Sequence, residues 1–578
     1  MFDRNTIIAL VVVGLMLLLL PTYYKWIAPP APEPTQTPQA PANPTPSDSA
    51  KLVDPVKTAT LDSSPIPHPS SPDSAPLRPY VREQVRVETP LYAMTLGSDG
   101  RISSCVLKSY QYKSGGDVKL HQIAASLDSA IGFVDLDLGP RNITSLTNLY
   151  FESSKPQLTV TTGRDSIELV STDNQGRRLY LYYVIDSERY GFALNIRTSG
   201  YVQTDTREFN LSWKGGVPTT EPDPQSDHEF GGAYAMIGEE LENISLGSDP
   251  KAEVVATGRT SYVATRSKYF IAALIPQAPA AGAELRAYTR NPSDKYVPHV
   301  YSATLRMPWE SVDIAQRVEV YWGPIKEDNL KVYDVGLEDT MNWGWAIVKP
   351  FSKSVLWLLI FLGGFIKNYG IVIIIFSVVV KVLLWPLTRK SQIAMKRMSA
   401  LKPELEELKE KHAKNPAALN KAMMALYKER GANPAAGCIP MLLQMPILYG
   451  LFIVFRSTIE FRQAPFLGWI SDLSQPDFLF TLPFSIPLYG AGVGLLPIVM
   501  GVSQFYMSRA TMSDPNQKAM LYIMPVMMTV LFNNFPSGLT LYYTLFNIWA
   551  IVEQQLIKLP VVATAPYTIE DKPQKKKK

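Results

Sequence analysis

The sequence has only two cysteines, Cys105 and Cys438, so it can build neither a disulfide framework nor a paired-cysteine metal site. Histidine is scarce too, five in 578 residues, and His121, His228 and His299 stand in unrelated contexts without ligand spacing. No GxxxxGK[ST] stretch occurs, so a phosphate-cradling loop of that kind is excluded. Charge is sparse: 19% of residues are Asp, Glu, Lys or Arg, and a net charge of +4 is too small to imply a nucleic-acid binder. Apolar residues are plentiful, at 46%, and unevenly placed. They gather at the N-terminus and beyond Val355, whereas the middle alternates polar and apolar residues. The chain is therefore part membrane, part soluble.

Residues 1–27 carry Arg4, an apolar run from Ile7 to Leu20, and then aromatic and basic residues suited to an interface. A cleaved signal peptide shares that layout, but Ala28 before Pro29 is a poor cleavage site, which favours a retained transmembrane anchor. Residues 28–79 are rich in Pro, Ser, Thr and Ala and cannot bury a core, so they read as a disordered tether. From 80 to 335, runs such as RRLYLYYVI, FALNIRTSG and RVEVYWG alternate at period two between turn residues, which predicts a large antiparallel β-sandwich. The loop SDHEFGGAYAMIGEE, 226–240, has more glycine and acid than a plain connection needs but matches no catalytic motif.

Five runs in the region 368–558, at about 369–388, 438–456, 487–508, 519–535 and 537–557, approach the roughly 20 apolar residues needed to cross a bilayer. With the anchor they make six spans. Within 336–367, the run 354–365 is shorter, broken by two glycines and flanked by lysines and tryptophans, so it reads as an interfacial amphipathic helix. The segment from Arg389 to Arg430 holds eleven Lys or Arg and, like the tail 559–578 ending in KKKK, belongs in the cytoplasm. Six spans then put both chain ends inside and the β domain outside. Within 389–436, Met398, Leu401 and Leu405 recur at helical steps, KNPAAL interrupts them, and Met423 and Leu426 lie on a second helix. That pattern predicts a cytoplasmic helical hairpin.

The stretch IVIIIFSVVVKVLLWPLTRK, 371–390, places Lys381 about 12 Å from Arg389 along a helix, too deep to reach the interface comfortably. A charge at that depth costs about 2.5–3.5 kcal/mol on insertion scales, so it should face protein or water. Ser377, four residues earlier, shares its face, and Gln444, Gln504, Asn533 and Tyr543 offer polar groups on other spans. Glu460 and Glu553 lie toward span ends, so the pattern suggests an unpaired cation in a hydrated cavity, with a structural polar cluster as the plainer alternative. Met445, on the third span, suits an adaptable apolar contact surface.

Three stretches, GCIPMLLQMPILYGLF at 437–452, EFRQAPFLGWISDLS at 460–474 and FPSGLTLYY at 535–543, resemble the YidC-type membrane protein insertases, the YidC/Oxa/Alb family. The order of anchor, linker, β domain, interfacial helix, basic hairpin, further spans and lysine tail is that of the Gram-negative form with a large periplasmic domain. The resemblance implies a polytopic α-helical protein of the bacterial inner membrane, with six transmembrane helices and both ends in the cytoplasm. It implies a chaperone-like insertase, without enzyme chemistry or cofactor, that inserts and helps fold inner-membrane proteins alone or with the Sec translocon. In such proteins a hydrophilic groove opens to the cytoplasm and the lipid. Lys381 takes the position of the groove's positive charge, where many relatives have arginine, and Ser377 that of a hydroxyl. Tyr543 matches a tyrosine thought to meet the client, and Met445 and Pro446 match the client-contacting face of the third span. The implied partners are nascent membrane proteins, the Sec translocon, the lipid bilayer and, through the hairpin and tail, the ribosome; no small-molecule substrate is expected. Two other readings stay open. A transporter could bind an anionic solute at Lys381, but would usually show repeated spans, and its mark would be solute uptake that depends on Lys381. An envelope-assembly factor could use its β domain on glycan or peptide, which the polar groups inside the spans argue against.

Overall fold

The computed structural model describes residues 84–122, 132–221, 229–246, 249–289, 299–412, 415–430, 439–511 and 518–556. The expected anchor, linker and basic tail lie outside these residues, as does Cys438.

Strands in the β region follow side-chain alternation. In Arg178–Asp186, Leu179, Leu181, Tyr183 and Ile185 enter the core while the residues between them stay partly exposed. Two sheets result. The smaller has five strands in the order Asp117–Gln122, Ile102–Gln111, Tyr92–Gly97, Gln84–Glu88, Gln157–Thr159; the larger has thirteen. Pairing among the described strands is antiparallel except between Gln84–Glu88 and Gln157–Thr159. The sheets share one core, in which Trp213 and Trp322 meet edge-on with ring centroids 4.9 Å apart.

Strand Phe270–Pro276 departs from alternation and is buried throughout. Phe270, Ala272 and Leu274 enter the sandwich core, whereas Ile271, Ala273 and Ile275 enter a second core shared with Val355, Phe376 and Leu539 of the helical region. A strand covered on both faces requires such a continuous apolar run. Polar contacts close the joint beside it. Arg462 pairs with Glu221 at 2.7 Å with both side chains almost fully buried, and Arg462 Nη1 and Gln463 Nε2 each donate to the Gln111 carbonyl at 2.9 Å. Arg456 pairs with Glu229.

The helical region contains α1 (Lys349–Gly363), α2 (Tyr369–Ala400), α3 (Lys402–Lys411), α4 (Pro416–Glu429), α5 (Ile439–Ser457), α6 (Leu495–Thr511), α7 (Lys518–Phe532) and α8 (Ser537–Leu556). Among the described residues, Tyr369–Pro386 of α2 is long and apolar enough to cross a membrane by length and composition; Leu521–Phe532 of α7 is apolar but shorter.

Two features differ from the sequence expectation. Helix α2 continues for 32 residues into the basic segment, so Met398 belongs to its last turn and not to the hairpin. The break falls at Leu401 because Pro403 fits the first turn of a new helix but not the interior of a continuing one. The hairpin core then consists of Leu401, Leu405, Leu408, Leu419, Leu426 and Tyr427, with Met423 packed at its edge. Asn415 caps α4 by accepting from the Ala418 amide at 3.1 Å, and Arg430 pairs with Glu404 at 3.3 Å across the hairpin.

The run 487–508 is the second. Phe478–Ile486 and Gly490–Gly494 form a β-hairpin, and α6 starts only at Leu495. Leu488 and Gly490 adopt φ of 67° and 91°, left-handed values that no α-helix can contain. A charge-free apolar run satisfies a hydropathy criterion for a span whether it folds as strand or helix.

Candidate functional site: a polar pocket between three apolar helices

On α8, Tyr542, Phe546, Trp549 and Glu553 recur at three- and four-residue steps and form one stripe directed at α2. Ser377, Val380, Lys381 and Leu384 of α2 face it, and Gln444 of α5 closes the third side. The cavity between them is about 10 Å³, room for at most a single water.

The polar groups around this pocket engage one another, Glu553 by an ion pair and not by a hydrogen bond. Lys381 Nζ lies 2.7 Å from Glu553 Oε2, with the two side chains 14% and 2% exposed. It also stands over the Phe546 ring, 5.0 Å from the centroid, where the π face favours a cation. Ser377 Oγ donates to the Ile374 carbonyl at 2.6 Å and accepts from Trp549 Nε1 at 3.1 Å. Gln444 Nε2 donates to Tyr542 Oη at 3.0 Å, and the Tyr542 ring packs against Phe376.

The expected unpaired cation is thus replaced by an ion pair in a narrow pocket. Glu553 is missed in the sequence because it stands near the end of its run. Yet α2 and α8 start from the same loop region, where Asn368 donates to the Phe466 carbonyl and Ser537 to the Asp472 carbonyl. Lys381 lies about 18 Å along α2 and Glu553 about 24 Å along α8, and the flexible lysine stem spans the difference.

Tyr543 does not face Lys381. One residue after Tyr542 on the helix, it points about 100° away and packs against Phe532, with ring centroids 5.2 Å apart; the tyrosine of the pocket is Tyr542. Asn533 also lies elsewhere. It is fully buried, donates to the Tyr489 and Gly492 carbonyls at 2.9 and 2.7 Å, and accepts from the Gly494 amide at 3.0 Å. Its full set of backbone bonds makes it the clasp of the β-hairpin. Gln504 sits on a separate seam of α6, donating to Ser508 Oγ at 3.4 Å, near the bond from Asn547 Nδ2 to Ser503 Oγ at 3.0 Å. Met445 is exposed on the outer surface of α5 and Pro446 beside it is half-buried. Of the sequence-chosen residues, the fold brings together Lys381, Ser377 and Gln444; Tyr542, Trp549 and Glu553 complete the set.

A β-sandwich joined to apolar helices, one of them long and apolar enough to cross a membrane, with an ion-paired polar pocket among them, fits a membrane protein that holds polar groups between its helices. The family model described as 60Kd inner membrane protein matches residues 361–563, and that described as YidC periplasmic domain matches 84–357. The membrane protein insertase YidC of Chloroherpeton thalassium is 30% identical, with 100% of this chain and 99% of the relative covered. That of Prosthecochloris aestuarii is 36% identical, with 74% of this chain and 76% of the relative covered. A solved active YidC insertase with its first transmembrane domain resolved is 19% identical with a TM-score of 0.36, over 83% of this chain and 94% of that one. The chain belongs to the YidC family of membrane protein insertases. It is a multi-pass inner-membrane insertase with a periplasmic β-sandwich domain, and nascent membrane proteins are its clients.

Proposed function

We propose that the Lys381 pocket receives the polar segment of a client while the client's apolar helix passes along the outer faces of α5 and its neighbours into lipid. The observation that carries this is the burial of a lysine, a glutamate, a glutamine and a serine between three apolar helices. A charge at mid-helix costs about 2.5–3.5 kcal/mol, and an all-apolar seam would pack the helices without that penalty. The pocket as it stands, about 10 Å³, is too small for a polar segment, so entry requires α8 to move from α2 and admit water from the cytoplasmic side. Met445, exposed beside the helically packed Ile447, gives α5 a deformable outer surface for varied apolar segments.

In this reading the chain has six spans with both ends in the cytoplasm, and the α3–α4 hairpin projects on that side, where its basic exterior suits contact with the ribosome. The β domain stands on the opposite side, where it is available to the Sec translocon. Insertion proceeds by physical transfer, without covalent chemistry: hydrophobic burial drives the client helix into lipid, and the pocket keeps polar groups partnered on the way. The test is full-length protein in liposomes offered a small single-spanning client without nucleotide. Protease-protected, correctly oriented client is expected; insertion no better than in protein-free liposomes would refute the proposal.

A further inference from the structure

In the scheme above Glu553 enters only as the buried partner of Lys381, with no role toward the client. Its carboxylate is buried, and among the described residues neither oxygen accepts a hydrogen bond of normal geometry. What holds its charge is the 2.7 Å contact with Lys381. On the same stripe of α8, Trp549 is bonded to Ser377 and Tyr542 to Gln444. The glutamate is therefore the member of the stripe tied by charge alone.

We propose that Glu553 is a specificity-determining residue that sets which client tails the pocket favours. A lone buried cation would select acidic tails, because an incoming carboxylate gains its attraction without competition. Paired with Glu553, Lys381 is already neutralised. An acidic tail must displace Glu553 and leave that carboxylate buried without a counter-charge, a situation that strongly disfavours exchange. A basic tail meets the converse obstacle at Lys381, whereas a neutral polar tail disturbs neither charge. The pocket thereby becomes a receptor for short neutral polar segments, indifferent to the sign of charge. This rests on the reading that client tails enter at Lys381.

The test uses full-length protein in liposomes and three versions of one single-spanning client, whose translocated tail carries two Asp, two Asn or two Lys. Wild type is expected to insert the Asn version best. Glu553→Gln is expected to raise the Asp version relative to the Asn version by about tenfold, the direction set by an uncompensated cation in a low-dielectric site. Lys381→Gln provides an independent arm, in which the remaining carboxylate should raise the Lys version relative to the Asp version by a similar factor. Crosslinking from position 377 to the tail is followed in parallel. Unchanged ratios in both variants, with tails still crosslinking at 377, would overturn the role of Glu553 and leave the pocket reading standing. Absence of crosslinks at 377 in wild type would instead overturn the pocket reading, and the role of Glu553 with it.

Discussion

Asn533 and Lys381 are both polar residues in apolar surroundings, but their partners differ in kind. Asn533 is bonded to three backbone groups of the hairpin it clasps, so Asn533→Ala leaves buried backbone groups unpaired at about 1–3 kcal/mol each. A lowered unfolding temperature in detergent is expected, with faster amide exchange in Phe478–Gly494 and tail crosslinks at position 377 retained. Loss of those crosslinks in a folded variant would return Asn533 to the client path. Glu460, just beyond α5, is an acid of another kind. Burial raises its pKa above the ordinary 4.5, against a backbone hydrogen bond and Lys326 that lower it, with Asp328 and Glu327 adding to the rise, and among the described residues its buried Oε2 has no hydrogen-bond partner. The folded protein therefore binds this proton more tightly than the unfolded chain. The stability it contributes is fully present below pH 4.5 and is lost as pH rises through the elevated folded value. Unfolding midpoints measured against pH should fall across that window in wild type and fall less in Glu460→Gln; parallel profiles would show that Glu460 is not the group responsible.

At the scale of elements, the α3–α4 hairpin has its own small core and is tied to the rest through the end of α2. Leu426 is fully buried in that core of six residues. Leu426→Ala should remove about 2–5 kcal/mol, more than so small a cluster can spare. Hydrogen exchange is expected to show lost protection in α3 and α4 with α8 and the sandwich unchanged; a matching loss in α8 would mean that hairpin and pocket unfold as one unit. The strand Phe270–Pro276 illustrates the opposite arrangement, since one face serves the sandwich and the other the helices.

For the molecule as a whole, the parts that can be read in the sequence are those where one residue or one period stands out. Lys381 is conspicuous in an apolar run, and strand alternation announces the sandwich. What escapes notice depends on which faces meet. Glu553 looks peripheral until α2 and α8 are seen to start from the same loop region. Tyr542 and Tyr543 differ by one helical step that only packing resolves, and the hairpin strand Gly490–Gly494 is apolar enough to be read with the following helix as the span 487–508. Side-chain chemistry marks the pocket's cation; tertiary contact alone supplies its counter-ion.

Site-specific crosslinking of a stalled nascent membrane protein, from photoreactive residues placed singly at 377, 444, 542 and 533, tests the Lys381 pocket most directly. Adducts to the client's polar tail from 377, 444 and 542, with none from 533, are the predicted result. Adducts confined to lipid or to neighbouring subunits at all four positions would contradict it.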